Sequence, residues 1–132
     1  MSALLNPWQD ARLIATRLAV PGARLVLVLG AEEWCSKCSA FKPHFDACAA
    51  TALDNETWLW LDLEEHAEFL GDFIPDNLPL LLAYSGSLLT HTLIPDDLSG
   101  PALMDLLAQP SRIEHTPAPD VRSRLLTVDW AG

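Results

Sequence analysis

Apolar positions along the chain recur with two different periods, and the alternation between them outlines the fold. Near the start, Trp8, Ala11, Ile14, Ala15 and Leu18 form a helical stripe that ends at Pro21-Gly22. Asn6 offers an N-cap, Pro7 suits the first helical position and Gln9 completes a capping-box spacing, so a helix is predicted over about 7–19. Arg24–Gly30 (RLVLVLG) is short, continuous and β-branched at alternate positions, the pattern of a central strand buried on both faces. A second helix is predicted over roughly 35–50, bent by Pro43. Thr57–Leu63 (TWLWLDL) reads as another buried strand, and EEHAEFLGDF as a short acidic helical segment or turn ending near Gly71. Pro79–Tyr84 and Leu88–Ile94 flank Ser85-Gly86-Ser87, a three-residue hairpin signal. The second of these runs is the more polar, as expected of an outer strand. Ser99 caps a last helix that ends about Gln109, with Leu103, Leu106 and Leu107 on its apolar face.

The order of elements is helix, strand, helix, strand, helix, strand, strand, helix. Strands joined through a helix are expected to be parallel with a right-handed crossover, and the hairpin antiparallel. The predicted fold is α/β: a mixed four-stranded sheet, a parallel pair plus an antiparallel hairpin, flanked by helices. Residues 1–109 are assigned to this domain and 110–132 to a C-terminal extension, docked or partner-binding. That extension holds Pro117 and Pro119 and then RLLTVDW, which can add an edge strand, cover a helix or bind another chain. Trp130 favours docking over exposure to water.

Composition narrows the possible partners. The chain has 132 residues, enough for one core, and its 50% apolar and 20% charged content is that of a globular protein. Eighteen acidic against eight basic side chains give a net charge of -10, which repels phosphate backbones and anionic lipid, so neither nucleic acid nor membrane is an expected partner. No apolar run reaches the roughly 20 residues needed to cross a bilayer. The segment MSALLNPWQD lacks the basic leader and apolar core of a signal peptide, and the expected location is the cytoplasm. A solvated acidic surface accounts for the charge.

Three cysteines, Cys35, Cys38 and Cys48, do not make a disulfide framework. Cys35 and Cys38 are separated by Ser36-Lys37, and a Cys-x-x-Cys pair either shuttles electrons or supplies half of a zinc site. On a helix, residues three apart come within disulfide reach, and Cys35 at the helix start meets unpaired N–H groups and the positive end of the dipole. Lys37 pushes the same way, whereas Glu32 and Glu33 oppose it. A full zinc site needs four ligands; there is no second Cys-x-x-Cys, and His44 falls about half a turn round the helix from Cys35. Cys48 lies roughly 15 Å along the helix from Cys38 and shares a spacing with Phe41 and Phe45, which assigns it to the core. His44, His66, His91 and His115 have no nucleophile or metal spacing and read as surface or hairpin residues. Trp58 and Trp60 read as core, and Asp62, Glu64, Glu65 and Glu68 as a solvated carboxylate run.

Taken together, these motifs resemble the thioredoxin-like family. WCSKC matches its Trp-Cys-x-x-Cys signature after a buried strand, Pro43 its helix proline, Leu78-Pro79 its cis-proline, and LDLEE its acidic strand end. The likeness covers about residues 22–109, and Ser36-Lys37 in place of Gly-Pro marks a divergent member rather than a general thioredoxin. It implies a thiol–disulfide oxidoreductase acting on protein disulfides or thiols, with no cofactor beyond the redox-active Cys35–Cys38 disulfide and with an upstream thiol reductase as a further partner. Cys35 would be the attacking thiolate and Cys38 the resolving thiol. Trp34, Leu78 and Pro79 would dock the substrate, with Ser36, Lys37 and Pro43 flanking the motif. The family's buried acid, five positions before the Trp, is here Leu29, and the lysine of the partner strand is Trp60. Losing both is self-consistent, since a buried lysine without its acid is costly; resolution by Cys38 is then expected to be slower, or its proton to leave through water. The alternative is an adaptor or chaperone on the same fold that binds a specific protein and turns over weakly or not at all.

Overall fold

The computed structural model describes residues 5, 9–31, 35–52, 54–62, 78–114 and 121–127. Helix α1 is Ala11–Leu18 and buries Ala11, Ile14 and Leu18. Gln9 and Asp10 form a turn before it, so the helix starts later than the Asn6 cap predicts; Asn6, Pro7 and Trp8 lie outside the described residues. Strand β1 is Arg24–Gly30 and strand β2 is Glu56–Asp62. Between them α2 spans Ser36–Ala49. The hairpin follows as β3 (Leu80–Ser85) and β4 (Leu88–Leu93), turning at Gly86, whose φ of 59° suits a residue without a Cβ. Helix α3 is Gly100–Ala108, and its Ala102 N–H donates to the Ser99 hydroxyl at the expected cap. The acidic segment predicted from Glu64 to Phe73 lies outside the described residues.

The sheet has five strands in the order β2-β1-β3-β4-β5. β1 and β2 are parallel, and β3 is antiparallel to both β1 and β4. The fifth strand, β5 (Arg112–Ile113), corrects the four-stranded expectation: it pairs in parallel with β4, and the Glu114 N–H donates to the Thr92 carbonyl at 2.7 Å. A two-residue strand has no periodicity to read, so only the fold reveals it. Within RLLTVDW, Arg124 to Thr127 close the short helix α4 (Val121–Thr127). Val121 and Leu125 are buried beside Ile14 and Leu18 of α1, and the Arg122 guanidinium donates to the Leu18 carbonyl. Among the described residues no helix is long and apolar enough to cross a membrane.

Six consecutive residues of β1, Leu25 to Gly30, are buried. Because strand side chains alternate, this run feeds two cores. Leu25, Leu27 and Leu29 join Leu59, Leu61, Leu80 and Leu82 under α1 and α4. Val26 and Val28 join Trp58, Trp60, Leu81 and Ala83 under α2 and α3, where Phe41, Phe45, Cys48 and Leu103 close the layer. Arg17 fastens α1 to the head of β2, donating to the Thr57 hydroxyl at 3.1 Å and the Glu56 carbonyl at 2.6 Å.

β4 is covered rather than outermost, and this overturns the surface reading of His91, which is fully buried. Its Nε2 lies 2.8 Å from the Leu106 carbonyl of α3, which can only accept, so Nε2 carries the proton. Nδ1 lies 2.8 Å from the Thr90 hydroxyl, whose single proton is shared between this nitrogen and the Ala83 carbonyl 3.2 Å away. Burial pushes the imidazole below its ordinary pKa of 6.5, aided by the positive charges of Arg24 and Arg112 and opposed by the carbonyls of Leu106 and Gln109. A folded pKa below the unfolded value means that, on acidification through about 6.5, the unfolded chain gains a proton before the native one does. Native stability must therefore fall as pH drops below 6.5. The loss is about 1.4 kcal/mol for each pH unit in which only the unfolded chain holds the proton. In urea titrations at pH 7.5 and 5.5, His91→Gln should show a smaller acid loss than the parent protein; an equal loss in both would remove His91 as its source.

Candidate functional site

Three strands are brought level where β1 gives way to α2. Gly30, the last residue of β1, is the parallel neighbour of Asp62, the last residue of β2. On the other side Leu29 pairs with Leu80, which brings Pro79 level with Gly30. The Leu78–Pro79 peptide is cis, as the resemblance implied. Pro79 is buried, and Leu78 is half-buried and packs against both cores. The chain leaves β1 at Ala31 and re-enters the described residues at Cys35; Trp34 lies outside them.

Cys35 is the N-cap of α2. Its backbone N–H donates to the Ala31 carbonyl at 2.9 Å, tying the helix start to the strand end. Its sulfur accepts from the Cys38 N–H at 3.2 Å, the bond that a serine or aspartate oxygen makes at an ordinary cap. Cys35 is half-buried and Cys38 fully buried, and all three cysteines are free thiols. Burial pushes the Cys38 thiol up to about 12, helped by its hydrogen bond to the Cys35 sulfur and by the nearby charges of Cys35 and Asp62, while the Ala31 backbone N–H pulls the other way. Ser36 and Lys37 are exposed. Pro43 sits inside α2 and has no N–H to offer the Ser39 carbonyl, yet the helix continues to Ala49. The pair is therefore an accessible sulfur and a buried, proton-holding one, three residues apart and able to close a disulfide.

The other candidates lie apart from the pair. Cys48 is core, its thiol donating to the Gly100 carbonyl at 3.7 Å, and burial raises its pKa. His44 is exposed. Among the described residues, no group of three or more His, Cys, Asp or Glu side chains could hold a metal ion.

The packing behind the pair was not legible in the motif. Trp60 lies across Gly30 so closely that a Cβ at position 30 would sit 2.5 Å from the indole Cζ2. Phe41 and Phe45 hold the ring from α2, with centroids 6.4 and 5.9 Å away. Lys42 stands 5.8 Å over it while bridging to Asp46 at 3.1 Å. The indole N–H has no acceptor among the described residues. Leu29 belongs to the core under α1 and α4, on the face of the sheet opposite Cys38. Leu29, the residue at the spacing of the family's buried acid, is an apolar core side chain here. The signal for Trp60 was a glycine ending an otherwise bulky strand beside a strand with two tryptophans.

No known protein-family profile matches the chain, and no curated protein matches it. Solved structures do. The thioredoxin of Schistosoma mansoni aligns with a TM-score of 0.60 and 15% identity, over 79% of this chain and 92% of that one. The thioredoxin-like protein Trxlp of Edwardsiella tarda gives 0.58 and 19%, over 78% and 97%. The zinc-bound form of human ERp44 gives 0.61 and 13%, over 81% of this chain and 29% of that one. These likenesses define the class of architecture as a thioredoxin fold. Within it the chain is a divergent example, carrying a Cys-x-x-Cys pair at the head of α2.

The contact between Gly30 and Trp60 gives a direct test of this packing. Gly30→Ala should destabilise the protein by about 1–3 kcal/mol, the usual cost of overfilling a close-packed core. Adding Trp60→Leu should recover part of that loss in urea unfolding. No loss in the single variant would mean that the indole does not rest on Gly30.

Proposed function

We propose that the protein is a thiol–disulfide oxidoreductase acting on protein disulfides through the Cys35/Cys38 dithiol, with a specialised partner and an upstream thiol reductase, in the reducing cytoplasm. The observation that carries this reading is the asymmetry of the pair. Cys35 is reachable and caps α2, and Cys38 sits buried behind it with its N–H 3.2 Å from the Cys35 sulfur. In the first step the Cys35 thiolate attacks a substrate disulfide, forming a mixed disulfide and releasing one substrate sulfur as thiolate. In the second, Cys38 loses its proton and attacks the Cys35 sulfur. The Cys35–substrate bond breaks, the second substrate sulfur leaves with the electron pair, and the Cys35–Cys38 disulfide remains. Leu78 and the cis Pro79, level with the end of β1, present a backbone edge beside the pair for an extended substrate segment, with Trp34 completing the docking surface. Residues 1–109 are taken as the redox unit and 110–132 as its extension.

Cys38→Ser should stop the reaction after its first half. It should accumulate a covalent complex through Cys35 that dithiothreitol releases, and its turnover of a generic protein disulfide should fall by on the order of 10²-fold or more, as expected when the resolving thiol is removed. Cys35→Ser should form no complex and Cys48→Ser should behave as the parent. Failure to trap any Cys35 adduct, with a partner still bound by Cys35→Ser, would replace electron transfer with simple binding on the same fold.

A further inference from the structure

The proposed second step needs a base for Cys38, whose thiol is held protonated in the core. Position 29 is a leucine packed in the α1 and α4 core, so β1 supplies no carboxylate, and the candidates are side chains on the cysteine face. On β2 these are set by alternation. Trp58 and Trp60 point toward α2, and Leu59 and Leu61 point away. Asp62, two residues beyond Trp60, is on the α2 face and half-buried. The parallel register sets it beside Gly30, across the roughly 4.8 Å between neighbouring strands. Ala31, the next residue, donates its backbone N–H to the Cys38 sulfur. Gly30 presents no side chain on this face, and the Trp60 indole lies across it.

We infer that Asp62 is the proton acceptor for Cys38 when the mixed disulfide is resolved, a carboxylate on β2 meeting a need that β1 leaves unmet. The inference rests on the oxidoreductase reading above. The proton passes from the Cys38 sulfur to the Asp62 carboxylate by hydrogen-bond contact or through one water. The Cys38 thiolate attacks the Cys35 sulfur, and the departing substrate thiolate takes up a proton from solvent. The dithiol loses two electrons and the substrate disulfide gains them. The negative charge of Asp62 already acts on the Cys38 thiol in the reduced protein, which places the two groups within electrostatic reach of each other. Cys35 is the other charged or titratable group acting on that thiol among the described residues; Lys42, further along α2, is engaged with Asp46 and the Trp60 ring.

The test follows the two halves of the reaction separately. Mixed with 5,5′-dithiobis(2-nitrobenzoate), the reduced protein releases a first thionitrobenzoate as Cys35 is modified, at a rate that rises with reagent concentration. It releases a second as Cys38 resolves the adduct, at a rate that does not. Asp62→Asn should leave the first phase unchanged and slow the second by on the order of 10²-fold at pH 7. The gap should close as pH approaches the Cys38 value of about 12, where no base is needed. Asp62→Glu should restore the second phase to within a few-fold, a rescue and a pH profile that loss of packing alone would not produce. If Asp62→Asn fails to fold by circular dichroism, Asp62→Ser is read in the same way. A second phase equal to the parent's at every pH overturns the role of Asp62 and leaves the oxidoreductase reading standing. Absence of a second phase in the parent itself overturns both.

Discussion

The central sheet is buried on both sides, and its strict alternation governs everything at the cysteine end. With Leu25 to Gly30 all out of water, β1 has no solvent face on which an unwanted side chain could be left. Each residue is committed to one core or the other. Moving any residue by one position would transfer it to the opposite layer, so the pleat decides what can reach Cys38. Leu29 and Gly30 are neighbours in sequence and belong to different halves of the molecule.

That commitment explains the exchange of volume between β1 and β2. On the α2 side β1 ends in a glycine, and the space is taken by an indole from the next strand, clamped by two phenylalanines from the helix. The arrangement fills with a rigid indole the space that a longer β1 side chain would take. The unpartnered indole N–H carries a cost of about 1–3 kcal/mol if it stays dry. The packing that Trp60 makes with Phe41, Phe45 and Lys42 offsets it. Burial of Cys38 in the same core is the largest cause of its raised pKa.

Much of this was legible in the sequence because it is local. The run RLVLVLG gave its strand to the residue, and Phe41, Phe45 and Cys48 gave the buried side of α2 by spacing alone. The thioredoxin likeness placed a cis peptide at Leu78–Pro79. What escaped was non-local. Distance along the chain to a motif carries no information about pleat, so which of the two cores Leu29 joins is visible only in the fold. A hairpin strand with Thr90, His91 and Thr92 looks solvent-facing until β5 and α3 cover it, and β5 itself is two residues long. His91 is tolerated inside because a carbonyl and a hydroxyl meet both of its ring nitrogens, partners drawn in part from a helix fifteen residues away. The helix start at Ala11 escaped for the opposite reason: the Asn6-Pro7 signal was locally persuasive, and the chain turns once more at Gln9-Asp10 before committing to the helix.

Unequal burial of the two sulfurs also limits which reactions the proposed site can run. A thiol in the core cannot meet a substrate disulfide directly, so the partner available to Cys38 is a bond already formed at Cys35, three residues away on the same helix. Resolution is then intramolecular, and its rate depends on orientation and proton removal rather than on substrate concentration. Raising the Cys38 pKa by burial lowers its reactivity toward stray disulfides, and it makes proton removal a requirement of the step. A partly exposed carboxylate at the end of β2 suits that problem better than one buried in mid-strand. Water reaches one side of it, so it can pass the proton on to solvent once the disulfide has closed.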